Sequence, residues 1–109
     1  MNKLTTLLVC TMFVVGHASA DSFEAEVELM LEASCLLCHG EGTVTPLNMQ
    51  ELSYDLGDAE VYRTWQHIYN RIERGQMPPM EVTDTVQSLI ENALAALKPA
   101  LVDANIAAR

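Results

Sequence analysis

Two thiols and an imidazole stand together at Cys35-Leu36-Leu37-Cys38-His39. At this spacing each thiol can add across one vinyl group of a porphyrin, and the turn between them brings His39 under one face of the ring as a ligand to its iron. The order is restrictive, because a histidine displaced by one residue on a helical turn would swing by about 100° and miss the metal. The motif predicts one covalent haem c, with Cys35 and Cys38 as the thioether positions and His39 as the proximal iron ligand.

Other chemistries use parts of the same pentapeptide. Half of a zinc site would need two further ligands at finger-like spacing, and no second Cys pair exists; the only later histidine is His67. A thiol–disulfide redox pair belongs at the strand-to-helix junction of a βαβ pattern, and no strand-like run precedes Cys35.

The amino-terminal residues place the motif in an export context. Lys3 gives a positive start, Leu4 to Val15 is an apolar run too short to span a bilayer, and Ala18-Ser19-Ala20 supplies a small-x-small cleavage signal. Residues 1–20 therefore read as a signal peptide cleaved after Ala20, which would remove Cys10 and His17. The expected location is the bacterial periplasm, and no later stretch is long and apolar enough to cross a membrane.

The remaining residues 21–109 suffice for one domain. A chain of this size buries only about 60% of its unfolded surface, so an apolar cofactor would form a large part of its core. Against 15 acidic residues this segment has five cations, Arg63, Arg71, Arg74, Lys98 and Arg109, a net charge of −10 with neutral histidines. That balance excludes nucleic acid and an anionic membrane surface as partners and suits a redox protein with a basic docking face. Solubility alone would also account for the acidity.

Three helices are expected to position the chemistry. Asp21 and Glu24 have capping-box spacing, and Phe23, Val27, Met30, Leu31 and Ser34 form one helical stripe leading into the motif. The turn-rich stretch 40–46 cannot continue that helix and is expected to wrap the porphyrin edge, with Leu47, Leu52 or Leu56 packed on the ring. Met49 is a conceivable iron ligand, though a methionine in such a loop is more often a gap filler. Asp58 is the expected N-cap and Gly75 the C′ residue of a second helix, whose stripe is Val61, Trp65, Ile68 and Ile72 with Tyr69 at its shoulder. His67 points roughly 130° from that stripe and is expected to face water. Thr83 or Asp84 caps the third helix, Asp84 and Gln87 again having capping-box spacing. Val86, Leu89, Ile90, Ala93, Leu94 and Leu97 make its buried face, and Pro99 is expected to end or kink it.

Between the second and third helices lies Gly75-Gln76-Met77-Pro78-Pro79-Met80. Each proline fixes φ and removes an amide donor, so a methionine here is held outside regular structure. Such rigidity suits a thioether that meets iron from the face opposite His39. Met77 is the expected distal ligand and Met80 its nearest competitor.

The order of a short helix, Cys35-x-x-Cys38-His39-Gly40, an apolar helix ending Arg71-Ile72-Glu73-Arg74-Gly75-Gln76-Met77-Pro78-Pro79, and then Thr83 followed by Leu89-Ile90, resembles the small class I cytochromes c. It is most similar to the short bacterial and planctomycete-type domains with a G-x-M-P-P distal loop, over roughly residues 24–97. The resemblance implies an all-α class I cytochrome c fold of three main helices and loops around one covalently bound haem. It also implies thioethers at Cys35 and Cys38, iron ligation by His39 and Met77, and packing of the first and last helices across each other. One position departs from the pattern: such cytochromes usually carry an aromatic residue at about the place of Ala93.

The expected function is one-electron transfer between redox partners by a chain that transforms no substrate. Two other functions fit the same residues: a cytochrome subunit fixed in a periplasmic dehydrogenase or oxidase, and a haem sensor or peroxidase-like protein with an open distal site.

Overall fold

The stripe expected before the motif is buried in the computed structural model, which describes residues 21–43 and 45–109. Phe23, Val27, Met30 and Leu31 are all within 4% of complete burial. They lie on helix α1 (Asp21–Met30) and the turn that follows it. Burying each of these side chains contributes about 1.5–3 kcal/mol relative to exposure. The expected leader and the expected cleavage site after Ala20, with Cys10 and His17, lie outside the described residues, as does the Asp21 side chain expected to cap α1.

α1 passes through a π-helical turn at Leu31–Cys35 into the short helix α2 (Leu36–His39). The wider turn is closed by the Leu36 N–H donating to the Leu31 carbonyl, and the Ser34 hydroxyl donates to the Met30 carbonyl at 3.0 Å. A 3-10 turn at Met49–Glu51 follows, and then helix α3 (Ala59–Glu73). Asp58 caps α3 as expected, its Oδ1 accepting from the amides of Glu60 at 2.9 Å and Val61 at 3.1 Å.

At the other end of α3 the Gly75 amide donates to the Ile72 carbonyl at 3.0 Å and the Gln76 amide to the Arg71 carbonyl at 2.9 Å. This is a Schellman closure, and it requires the left-handed backbone that Gly75 adopts at φ +71°. The amide of Met77 also donates to the Arg71 carbonyl at 3.3 Å. The segment carrying Met77 is thus tied to the last turn of α3.

The last helix, α4 (Asp84–Ala107), is capped by Thr83, whose hydroxyl accepts from the Val86 amide at 3.3 Å. Gln87 does not complete a capping box with Asp84; its side-chain amide donates to Glu91 at 3.2 Å instead. Ile90, Ala93 and Leu97 are buried, while Val86, Leu89 and Leu94 are half-buried. Pro99 does not end the helix. Its missing N–H leaves the Ala95 carbonyl without a helical partner, but both residues are exposed, so water can satisfy that group. Leu101, beyond the proline, joins the core at 7% exposure and anchors the continuing turns.

The described residues form a small compact all-α domain of three main helices with no strands. Its core is a single cluster in which α1 packs most extensively on α4, with Val27, Met30, Ala93 and Leu97 fully buried. Trp65 of α3 is also fully buried. It stacks on Tyr54 at 5.4 Å and 19° and meets the edge of Phe23 at 6.1 Å and 85°. Its indole N–H donates to the Ser53 carbonyl at 2.8 Å. The aromatic mass of this core comes from α1, the loop before α3, and α3 itself.

Candidate functional site

The end of the π-helical turn presents Cys35, and α2 presents Cys38 and His39, to a cavity of about 690 Å³, a size typical of cofactor sites. Both cysteines are free thiols and half-buried. Burial pushes the Cys35 thiol above its ordinary range, and the Ser34 hydroxyl, 3.5 Å from the sulfur, opposes this in part.

Gly40 ends α2 in an extended conformation rather than a left-handed one. A Cβ here would lie 2.5 Å from the Leu36 carbonyl oxygen, so a side chain would push against the backbone of the motif itself. Gly40→Ala is expected to cost about 1–3 kcal/mol in urea unfolding followed by circular dichroism; wild-type stability would contradict the close approach.

The loop after Gly40 returns over α2. The Thr43 hydroxyl donates to the Gly40 carbonyl at 2.9 Å, and the Glu41 amide donates to Gln50 Oε1 at 2.8 Å, fastening the loop to the 3-10 turn. Thr45 is thereby brought beside the motif. Its hydroxyl lies 3.0 Å from His39 Nδ1 and also bonds the Cys38 carbonyl, with the Leu47 carbonyl at 3.5 Å.

Met77 and Met80 line the same cavity and are 38% and 59% exposed. Pro78, Pro79, Val82 and Val86 continue that wall, while Met49, Ile68 and Ile72 contribute further apolar surface. Met49 is 7% exposed and packs in the core, the role expected of it. Of the three leucines expected against the ring, only Leu47 lines the cavity; Leu52 and Leu56 pack against the core cluster instead.

His67 is exposed, but it does not point away from the cavity as its helical angle suggested; it lines it, together with Ile68, Arg71 and Ile72. The reason lies in how α3 divides its stripe. Trp65 turns to Phe23 and Tyr54, so the cavity meets the adjacent side of the helix, where His67 and Arg71 sit one turn apart. Glu32 and Glu81 also line the cavity, which therefore carries charges of both signs around an apolar interior.

Sequence reasoning missed Thr45 and the π-helical turn. A threonine six residues after a histidine carries no helical or strand signature; only the closed loop joins them. The Leu-Glu-Ala-Ser-Cys run reads as continuous helix, although π-turns recur at functional sites.

Among the described residues no three of His, Cys, Asp and Glu converge as a metal-binding set, and no helix is long and apolar enough to cross a membrane. No family model, no curated protein and no solved structure matches this chain.

Proposed function

We propose that this chain is a periplasmic c-type cytochrome that carries single electrons between protein partners on one haem. The observation that carries the reading is the shared cavity: a Cys-x-x-Cys-His motif and the Met77–Met80 segment border one apolar space of about 690 Å³. The donor set fits the group. Two thiols suit covalent attachment at the vinyl carbons, an imidazole nitrogen and a thioether suit iron, and the apolar walls suit a porphyrin face.

Bound there, the group supplies a one-electron couple between ferric and ferrous iron. The chain's own part is to hold and tune it. Cys35 and Cys38 would hold its edge, His39 would offer a ring nitrogen, and Met77, tied by its amide to the end of α3, would offer sulfur. Ile68, Ile72, Val82 and Val86 would pack on its faces and limit water there, which would favour the less charged state of the couple. Arg71 and His67 are the basic side chains on the cavity wall and would receive the carboxylates of the porphyrin. The strongly acidic surface would meet a basic partner face. The zinc alternative is disfavoured because no third and fourth ligand join the cysteines among the described residues.

The test is the absorption spectrum of protein purified from the periplasm, in both oxidation states, beside Met77→Ala and Met80→Ala. The expected wild-type spectrum is that of low-spin haem with the weak far-red ferric band of methionine ligation. The band should vanish in Met77→Ala and persist in Met80→Ala. Ready uptake of carbon monoxide by the ferrous wild type would instead indicate an open distal position and a sensor or peroxidase-like role. Elution with a tightly held partner would indicate the fixed subunit.

A further inference from the structure

We propose that Thr45 is a positioning residue for His39: its hydroxyl fixes the imidazole in the Nδ1–H tautomer and makes Nε2 a stronger donor to iron, lowering the reduction potential. The proposal rests on the haem reading above and concerns residues outside the attachment motif.

The argument begins with the hydroxyl's single proton. Carbonyl oxygens only accept, so the contact with the Cys38 carbonyl places that proton on Cys38, with Leu47 as a weaker acceptor at 3.5 Å. What remains toward His39 is a lone pair. The 3.0 Å contact with Nδ1 is then a hydrogen bond donated by the ring, and Nε2 is left unprotonated.

The loop is built to keep this arrangement. Thr43 on the Gly40 carbonyl and Glu41 on Gln50 fasten residues 41 and 43 beside the motif, and the Thr45 hydroxyl is itself held by its contacts with the Cys38 and Leu47 carbonyls. The three linked groups, Nδ1–H to hydroxyl to Cys38 carbonyl, run back into the same turn that carries the second thiol. A hydroxyl already donating is polarised to accept more strongly.

The consequence for iron is electronic. An imidazole that donates its distal N–H is more basic at the ligating nitrogen, and a more basic ligand favours the ferric ion. Losing the acceptor should therefore shift the couple toward the ferrous state. It should also free the ring to rotate about its bond to the chain.

The experiment uses the holoprotein and two variants. Thr45→Val keeps the branched shape and removes the hydroxyl, whereas Thr45→Ser keeps the hydroxyl and removes a methyl. In spectroelectrochemical titration Thr45→Val should favour the ferrous form several-fold, up to about tenfold, the upper limit corresponding to about 59 mV for one electron. Thr45→Ser should stay within about twofold of wild type, a threshold set against that tenfold limit. In the ferrous wild type, nitrogen-15 NMR should show His39 Nδ1 protonated and exchanging slowly with solvent, and this signature is readable without any variant. An unchanged potential in Thr45→Val, equal shifts in both variants, or rapid Nδ1–H exchange in the wild type would overturn the proposal while leaving the haem reading intact. Absence of covalent haem from the wild type on a denaturing gel would overturn both.

Discussion

Replacing Cys35 and Cys38 together with alanine is expected to yield a protein that retains no haem through denaturing electrophoresis and no longer unfolds cooperatively. The first effect follows from the proposed haem reading, in which these two thiols would carry the attachment. The second follows from the volume left behind. Without the group, the apolar walls of the cavity of about 690 Å³ face solvent, and the burial that each such side chain would gain against it, up to about 1.5–3 kcal/mol, is lost. The entire stability of a small domain is about 5–15 kcal/mol, so losing the burial of a few side chains takes a large share of it. Circular dichroism of the double variant should show a marked loss of helix and a broad thermal profile. A fully helical, cooperative apoprotein would show instead that the α1–α4 contact alone sustains the domain.

The second large effect is expected in the aromatic core, at a residue that does not itself border the cavity. Trp65→Ala removes a fully buried ring that stacks on Tyr54, meets Phe23 edge-on and bonds the Ser53 carbonyl. Truncation of such a side chain costs about 3–5 kcal/mol. Trp65→Phe should cost less, because most of the ring packing survives and the exposed Ser53 can pass its carbonyl to water. Trp65 is the sole tryptophan, so denaturant unfolding must be followed by circular dichroism rather than by fluorescence. Because Trp65 does not border the cavity, the haem spectrum of any folded Trp65→Ala protein should match the wild type. A change in ligation would mean that the aromatic cluster and the cavity are mechanically coupled.

These expectations divide the molecule into parts that local chemistry announces and parts that only the closed chain creates. Asp58, Thr83 and Gly75 were legible because caps are satisfied within a few residues of themselves. The stripe of α1 was legible because one helix face meets one partner. α3 was read less completely, since it serves two neighbours: Trp65 satisfies the core while His67, Ile68 and Arg71 border the cavity. An angle measured from the stripe's centre therefore placed His67 correctly at the exposed surface but missed that this part of the surface is also the cavity wall. Of the two outcomes expected at Pro99, an end or a kink, the end does not occur, because the general cost of a helical proline is reduced where its orphaned carbonyl is wet and a later leucine is anchored. Met77 and Met80 were both legible as candidates in one proline-bounded segment, and Met77 leads by the resemblance; the bond from its amide to the Arg71 carbonyl was not legible, being a consequence of the Schellman closure.

The π-helical turn sets a rule for how this sequence can drift. In an unbroken α-helix the phase of Cys35 and Cys38 would be dictated by Leu31, because each residue advances by a fixed angle of about 100°. The wider turn at Leu31–Cys35 absorbs roughly one residue of rotation, so the face that packs on α4 and the face that presents the thiols are set independently. Leu31 within it belongs to the core, Ser34 bonds the Met30 carbonyl, and Glu32, Ala33 and Cys35 border the cavity. The segment is consequently strict in length: loss of one residue would restore regular helix and turn the motif relative to the face packed on α4.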